Sequence, residues 1–150
     1  MATEEMFTRL PGLPAAMRPC AAHWHETMER RDPAALQELI ADECVFYSPI
    51  VHTPQEGKAI TIMYLTAAME VLGGEGFRYV RELRDGNQAV LEFIGEREGI
   101  QINGIDMFTW NDEGKIDSFK VMVRPLKAIN LLHQRMMEML EQMAATAQAQ

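Results

Sequence analysis

Four strand-like runs follow one another between residues 77 and 124, and this repeated pattern restricts the fold of the chain more than any other feature. Each run is rich in β-branched and aromatic residues or alternates apolar with polar ones, as strands do. The junctions at Asp85-Gly86 and Glu113-Gly114 have the turn chemistry of antiparallel hairpins. The pattern predicts a four-stranded antiparallel meander made of FRYVREL, QAVLEFIGERE, IQINGIDMFTW and KIDSFKVMVR.

Two helical patterns precede the first strand. Residues 15 to 30 carry apolar side chains at the spacings of three and four that mark an amphipathic helix. The segment RRDPAALQELIADE predicts a second helix, with Asp32 as its N-cap and Pro33 at its first position, where a missing N–H costs nothing. The buried stripe of the first helix is expected to be Met17, Cys20, Ala21, Trp24 and Met28, and that of the second Leu36, Leu39 and Ile40.

A short strand and two further helices complete the pattern. The residues of CVFYSP are β-branched and aromatic up to Pro49, so residues 44 to 48 are predicted to form a strand. A loop that contains His52 leads to the helix KAITIMYLTAAMEVL, which ends at Gly73-Gly74. The chain closes with the methionine-rich helix PLKAINLLHQRMMEMLEQMAA, whose buried stripe includes Leu132 or His133.

This order of elements indicates an α+β domain in which helices cover one face of a curved sheet. We expect a cone-shaped antiparallel sheet with a mixed edge, wrapped around the N-terminal helices, whose open end is a natural ligand pocket. A chain of 150 residues is about the length of one domain. We expect an irregular arm at 1–14, the main body at 15–125, and a C-terminal amphipathic helix and tail of the same domain at 126–150.

The formal charge of -8, from 22 acidic and 14 basic residues, argues against nucleic acid as a partner, because phosphate binding needs a concentrated positive face. No apolar run approaches the roughly 20 residues of a membrane-spanning helix. Cys20 and Cys44 could pair only by accident of geometry, and the N-terminus lacks the pattern of a signal peptide. We therefore expect a cytoplasmic protein that associates with neither nucleic acid nor membrane.

One acid occupies an unexpected place in the third strand of the meander. Asp106 lies between Ile105 and Met107 and precedes Phe108 and Trp110, in a run that is otherwise strongly apolar. A strand of this composition has little reason to carry a carboxylate unless the carboxylate is used. Asp106 is therefore the first candidate for a functional residue, although an ion pair with Arg97 or Arg124 is a purely structural alternative.

The chain resembles the nuclear transport factor 2-like superfamily, and within it the SnoaL-like and ketosteroid isomerase branch. The resemblance covers roughly residues 15 to 125 and rests on four features. They are Trp24 in the first helix, DPAAL at the start of the second, FYSP followed by EGKAI, and GIDMFTWNDEGKI.

The resemblance implies a role for Asp106, which falls on the oxyanion-hole acid of the isomerases. Asp106 is then expected to face inward, on the same side of its strand as Phe108 and Trp110. Apolar surroundings disfavour an ionised carboxyl and raise its pKa, and a neutral carboxyl can donate a hydrogen bond to a carbonyl or enolate oxygen. The pocket that the resemblance implies is lined by Trp24, Ser48, Tyr64, Phe108, Trp110 and Phe119.

The other isomerase groups are only partly present. The general base of the isomerases is an aspartate just before the proline of the first strand, where this chain has Ser48. The oxyanion-hole tyrosine falls on Trp24, whose indole can donate a hydrogen bond, and Tyr64 lies near a second tyrosine of the family. A serine without a base abstracts no α-proton at neutral pH, so authentic steroid isomerisation is not expected.

A histidine is the candidate replacement for the missing base. His52 is close in sequence to the expected rim of the pocket and titrates near neutrality, although it could equally be a loop histidine bonded to the backbone. His23 and His25 flank Trp24 on different faces of the helix and are expected to face solvent. No histidine pair has the spacing of metal ligands on one face, so we expect neither a metal nor a cofactor.

Two functions of different class follow. In the first, the protein is a cofactor-independent isomerase, cyclase, dehydratase or epoxide hydrolase acting on an apolar, oxygenated small molecule, with Asp106 and His52 as catalytic residues. In the second, the same pocket only binds such a molecule, or belongs to a dimeric structural domain. A homodimer through the sheet or through the C-terminal helix is expected in either case.

Overall fold

The structure, a computed structural model, describes residues 17–74 and 76–149. They form one six-stranded sheet and four α-helices, numbered here in chain order. The helices are α1 Met17–Arg30, α2 Leu36–Leu39, α3 Lys58–Leu72 and α4 Leu126–Ala149. The strands are β1 Ile40–Tyr47, β2 Gln55–Glu56, β3 Arg78–Asp85, β4 Gln88–Arg97, β5 Ile100–Trp110 and β6 Ile116–Arg124.

The strand order of the sheet is β2-β1-β6-β5-β4-β3. The four strands β3 to β6 form the predicted antiparallel meander, and their bounds lie within two residues of those that the sequence predicts. Strand β1 joins the meander through a parallel pairing with β6. The short strand β2 forms an antiparallel pair with β1. The predicted α+β class with a mostly antiparallel sheet is therefore confirmed, and the one parallel pair is β1 with β6.

The hairpin turns form where the sequence supplies residues that tolerate a left-handed backbone. Gly86 has φ 58° between β3 and β4, and Gly114 has φ 75° between β5 and β6. At the turn between β4 and β5, Glu98 and Gly99 both have positive φ, at 52° and 78°. Two successive residues with positive φ give the turn a twist that matches that of the flanking strands. The turn residues therefore fix the register of the meander.

The second helix is shorter than predicted. Asp32 caps it, its side chain accepting from the Ala34 N–H at 3.1 Å, but a 3-10 turn at Pro33–Ala35 and a single α-turn are all that follow. The chain then enters β1 at Ile40, four residues before the predicted start of the strand. Ile40 pairs with Ile116 of β6, and this sheet partner outweighs the helical pattern of the segment.

Helices α1 and α3 cover the inner face of the sheet. The larger core cluster joins α1, α2, α3 and four strands through residues such as Trp24, Leu65 and Phe119. A second cluster attaches α4 to the sheet through Ala128 and Leu132, so Leu132 rather than His133 is the buried stripe residue. In the part of the chain that the structure describes, no helix is long and apolar enough to cross a membrane.

The predicted N-terminal arm lies outside the described residues, as do the first two residues of the predicted first helix. Cys20 and Cys44 are buried free thiols, as the sequence suggested. Burial raises the pKa of the Cys20 thiol to about 12 and that of Cys44 to about 11. Both thiols therefore stay protonated near neutral pH and behave as small apolar side chains.

Candidate functional site

Strand β5 presents one buried and one half-exposed face along its length. Every second residue from Ile102 to Trp110 is buried, and Asp106 takes its place in this series with only 6% of its surface exposed. The predicted inward direction of Asp106 is therefore confirmed. Leu91 of β4 and Val121 of β6 are its neighbours in the sheet, so the acid sits between two apolar side chains at the centre of the meander.

Asp106 is held by a chain of two hydrogen bonds. The Tyr79 hydroxyl donates to Asp106 Oδ2 at 2.6 Å. The Trp24 indole Nε1–H in turn donates to the Tyr79 oxygen at 3.0 Å. Three elements that are distant in sequence, α1, β3 and β5, thus meet at one polar line inside the core. The Tyr79 hydroxyl and the Trp24 indole are both neutral donors, so this hydrogen-bond chain orients Asp106 without a cation.

The surroundings of Asp106 favour its neutral form. Burial raises the pKa of Asp106 from 3.8 to about 7, and the hydrogen bond from Tyr79 moderates the rise. Burial and the neighbouring carboxyl also raise the pKa of Tyr79 well above 10.0, so the phenol keeps its proton and remains a donor. Near neutral pH both protonation states of Asp106 are accessible, which suits an acid that gives or receives a proton.

Asp106 borders a small inner cavity beneath helix α3. The space measures about 370 Å³ with its solvent-filled mouth included, and Asp106 is the only ionisable side chain among the described residues that line it. All the other walls are apolar apart from the indole N–H of Trp24. The lining residues are Trp24, Met28, Leu65, Ala68, Met69, Leu72, Phe77, Phe93, Asp106, Phe119 and Val121.

A larger groove adjoins the inner cavity. It measures about 690 Å³ and lies between α3, α4, β6 and the segment that follows β1. Ala68, Leu72 and Val121 line both spaces, so the inner cavity and the groove lie side by side at these three residues. We call this second space the outer groove. Its walls also include Ser48, Tyr64 and His133.

The sequence profile of the SnoaL-like domain matches residues 21–119 of this chain. The match covers most of α1 and the chain as far as the middle of β6, and it includes Asp106, its donor Tyr79 and the Trp24 indole that donates to Tyr79. The chain belongs to the SnoaL-like family. A solved NTF2-like structure shares the fold of this chain, so the family and the fold are those that the sequence resemblance predicted.

Several solved structures are similar to this SnoaL-like protein. A steroid delta-isomerase from Pseudomonas aeruginosa is 35% identical, with a TM-score of 0.83 over 89% of this chain and 98% of that one. An uncharacterised bacterial protein with a cystatin-like fold from Silicibacter pomeroyi is 28% identical, with a TM-score of 0.74 over 81% and 85% of the two chains. An NTF2-like protein of unknown function from Mesorhizobium loti, 20% identical with a TM-score of 0.65 over 78% and 98%, shares the fold. No curated protein matches the sequence.

The structural alternative for Asp106 named two arginines, and both have other partners in this SnoaL-like protein. Arg97 donates to the backbone carbonyls of Glu70 and Val71. Arg124 donates to the side-chain oxygen of Asn103 at 3.3 Å. Among the described residues, the hydrogen bond of Asp106 comes from Tyr79 and from neither guanidinium. The ion-pair interpretation of this buried acid therefore has no support in the described residues.

Four aromatic residues predicted to line the pocket form the packed floor of the site. Phe108 and Phe119 stack with ring centroids 5.4 Å apart, and Trp24 packs on Phe119 at 4.8 Å. Trp24 and Phe119 line the inner cavity, whereas Phe108 and Trp110 support it from the core cluster. The aromatic cluster thus fixes the indole that begins the hydrogen-bond chain to Asp106.

The other predicted site residues lie farther out. Ser48 and Tyr64 line the outer groove, where Tyr64 stacks on Phe46 at 5.2 Å. The Ser48 hydroxyl accepts from the Ile50 N–H at 3.0 Å and so closes a local turn. His52 is exposed on the loop before β2 and is among the lining residues of neither space. The structure therefore brings Asp106 together with Trp24 and Phe119, and not with His52.

A charged cluster lies beside Tyr79 on the side of α1. His25 Nε2 is 2.5 Å from Glu82 Oε1, and its ring meets the Tyr79 ring edge to face at 5.5 Å. Arg84 lies 2.5 Å from the same carboxylate. Burial tends to raise the pKa of Glu82, but the His25 and Arg84 contacts hold it below its usual value. The expectation that His25 faces solvent is wrong, whereas His23 is exposed as predicted.

Sequence reasoning missed Tyr79, the direct partner of Asp106. A signal was available, because strand alternation puts Phe77 and Tyr79 on one face of β3. The contact itself depends on the curvature that brings β3 over β5. His133 was considered only as a stripe position, yet it lines the outer groove. Among the described residues there is no cluster of three or more His, Cys, Asp or Glu side chains that could hold a metal ion.

Proposed function

We propose that this SnoaL-like protein binds an apolar, oxygen-bearing small molecule with its oxygen on Asp106, and that it transforms this molecule by acid catalysis without a cofactor. One observation carries the proposal. Asp106 is buried in an apolar cavity and is hydrogen-bonded by the neutral Tyr79 hydroxyl alone among the described residues. A carboxyl in such a place is costly unless it is used.

The chemistry of a neutral buried carboxyl defines the reaction class. Protonated Asp106 donates a hydrogen bond to a carbonyl, epoxide or hydroxyl oxygen and stabilises the negative charge that develops there. Isomerisation, cyclisation, dehydration and epoxide opening all place such charge on an oxygen atom. Tyr79 fixes the direction of the carboxyl, and the apolar walls exclude water from the reacting oxygen.

The similar steroid delta-isomerase supports an isomerase-type reaction, because this chain is 35% identical to it and covers 98% of it. Ser48 limits how far that likeness extends. Its hydroxyl closes a turn with Ile50, and no carboxylate stands at its position to abstract an α-proton. We therefore expect little or no turnover of a Δ5-3-ketosteroid. Turnover equal to that of a true isomerase would show that another group abstracts the proton.

Binding without turnover is the second candidate function. It is favoured by the same observation, since Asp106 is the sole ionisable group of the described residues around the inner cavity. A lone acid can hold an oxygenated ligand without a second group to complete a proton transfer. The two candidates share the Asp106 contact and differ only in whether the bound molecule changes.

The test compares a cyclic ketone with the hydrocarbon of the same shape. We expect the ketone to bind about three- to tenfold more tightly, the worth of one hydrogen bond. Asp106→Leu, which keeps the volume and removes the donor, should abolish this preference, and Asp106→Asn should keep part of it. Asp117→Asn is the matched control, because Asp117 accepts from Thr109 on the outer side of β6. Equal affinity of the parent protein for ketone and hydrocarbon would contradict the proposal.

Product analysis then separates the two candidates. Incubation of the bound ketones, enol ethers and epoxides in heavy water should show deuterium uptake or rearrangement that Asp106→Leu loses. Unchanged recovery of every bound molecule would leave the protein as a binder. Loss of turnover in the Asp117→Asn control would show that the assay reports folding and not the site.

A further inference from the structure

The outer groove and the inner cavity are neighbouring spaces. Ala68, Leu72 and Val121 line both, and no other residue lies in both linings. The outer groove is the larger part, about 690 Å³ against about 370 Å³. A ligand that reaches Asp106 and is too long for the inner cavity would therefore pass these three residues and enter the groove.

The walls of the outer groove are mainly aliphatic and methionine side chains. Helix α4 contributes Met136, Met137 and Leu140, and the opposite wall includes Val51. Met137 and Val51 are 48% and 43% exposed, so large apolar side chains are left in contact with water at the groove. Unbranched methionine adapts to a partner of variable shape, and an apolar tail laid here would remove this surface from water.

We propose that the substrate is an elongated molecule, with an oxygenated head on Asp106 and a flexible aliphatic tail in the outer groove under α4. This inference rests on the proposed function and specifies its substrate class. The three shared lining residues mark where the tail would pass from one space to the other, and the Met and Leu side chains of α4 give it a surface. Helix α4 is then part of the binding site and determines chain-length specificity.

Linear methyl ketones of increasing chain length test the inference, with the full chain and with calorimetry as the readout. Each methylene that enters the groove should raise the affinity about three- to fourfold, the value for burial of one CH2 group. The slope of log affinity against chain length reports the tail. The intercept reports the head. Asp106→Leu should therefore lower the whole series and leave the slope unchanged.

Two groove-filling variants should do the reverse. Met136→Trp and Leu140→Trp place a rigid ring in the groove and should flatten the slope, while the affinity of the shortest ketone changes less than twofold. Met122→Trp is the matched control, because Met122 is 51% exposed on β6 and lies outside both linings. It should leave slope and intercept unchanged. Two variants are used so that a failure of one to fold leaves the other informative.

The outcomes separate this inference from the proposed function. An affinity that depends on Asp106 but not on chain length would overturn the inference and leave the proposed function standing. A slope that persists in both groove variants would also overturn it, because the tail would then lie elsewhere. Absence of binding by every ketone would overturn the proposed function, and the inference with it.

Discussion

Two carboxyl groups lie near Tyr79, and their pKa values shift in opposite directions. Asp106 receives the Tyr79 hydroxyl, and burial raises its pKa to about 7. Glu82 contacts His25 and Arg84, and its pKa is held below the usual value although burial acts on it too. Desolvation works in the same direction at both sites, so the presence of cationic neighbours decides the outcome.

The comparison identifies which carboxyl can act as an acid. Glu82 is stabilised as an anion by its neighbours and stays ionised at neutral pH, which suits a structural ion pair. Asp106 has neutral neighbours and a cavity in front of it. A carboxyl with a perturbed pKa that borders a cavity is a candidate for a functional site. A carboxyl whose pKa is perturbed by ion pairs away from a cavity is more often structural.

The largest expected effect is the pH dependence of Asp106→Asn. The carboxyl titrates near 3.8 when solvated and near 7 in the folded protein, so the folded state binds this proton more tightly. The parent protein should therefore lose stability relative to the Asn variant as the pH rises from 3.8 to about 7. Each pKa unit corresponds to about 1.4 kcal/mol, so the free energy of unfolding of the parent protein should fall by about 4 kcal/mol relative to the variant.

Thermal melts of both proteins across this pH range provide the measurement. Asp117→Asn, on the outer side of the sheet, should not reproduce the trend. A loss of about 3–5 kcal/mol in Asp106→Asn at neutral pH would instead indicate a buried ion pair and refute the comparison.

Tyr79→Phe should have an intermediate effect. The change removes the donor to Asp106 and the acceptor of the Trp24 indole, and a buried polar group left without its partner costs about 1–3 kcal/mol. Because the Tyr79 hydrogen bond lowers the pKa of Asp106, its loss should move that pKa above 7. Chemical denaturation and a carboxyl titration measure the two effects. Tyr64→Phe is the control, and equal behaviour of both variants would contradict the proposed hydrogen-bond chain.

Glu82→Gln should have the smallest effect and the opposite pH dependence. The pKa of Glu82 is depressed in the folded state, so its contribution is present above the ordinary value of 4.5 and is lost as the pH falls through the lower folded value. The variant should be less stable than the parent by about 1 kcal/mol at neutral pH, and equally stable in acid. Urea titrations at two pH values measure this. A deficit that grows in acid would contradict the account.

The sequence was sufficient for most of the fold because strands and turns are local signals. The runs of the meander alternate visibly, and Gly86, Gly99 and Gly114 mark their turns. The direction of Asp106 follows from the same alternation once Phe108 and Trp110 are placed inside. The predicted length of the second helix was wrong because Ile40 pairs with Ile116 of β6. This contact spans 76 residues of sequence, and no local pattern contains it.

The site was less predictable because it is assembled by curvature. Tyr79 reaches Asp106 across β4, and the groove needs α4 to fold back over β6. His52 was predicted to lie at the pocket because it is near Ser48 in sequence, yet its loop places it in solvent. The chemistry of a side chain and the face of the sheet on which it lies can be inferred from the residue and the alternation of its strand. Which groups meet in space depends on the whole sheet.

The most direct test of the central claim is a titration of both carboxyls by carbon-detected NMR in the parent protein. The account predicts that Asp106 titrates near 7 and that Glu82 titrates below 4.5, in the same sample. Asp106→Asn and Glu82→Gln assign the two resonances. A value for Asp106 at or below 3.8 would show an ionised, compensated carboxylate and would contradict its role as the acid of the site.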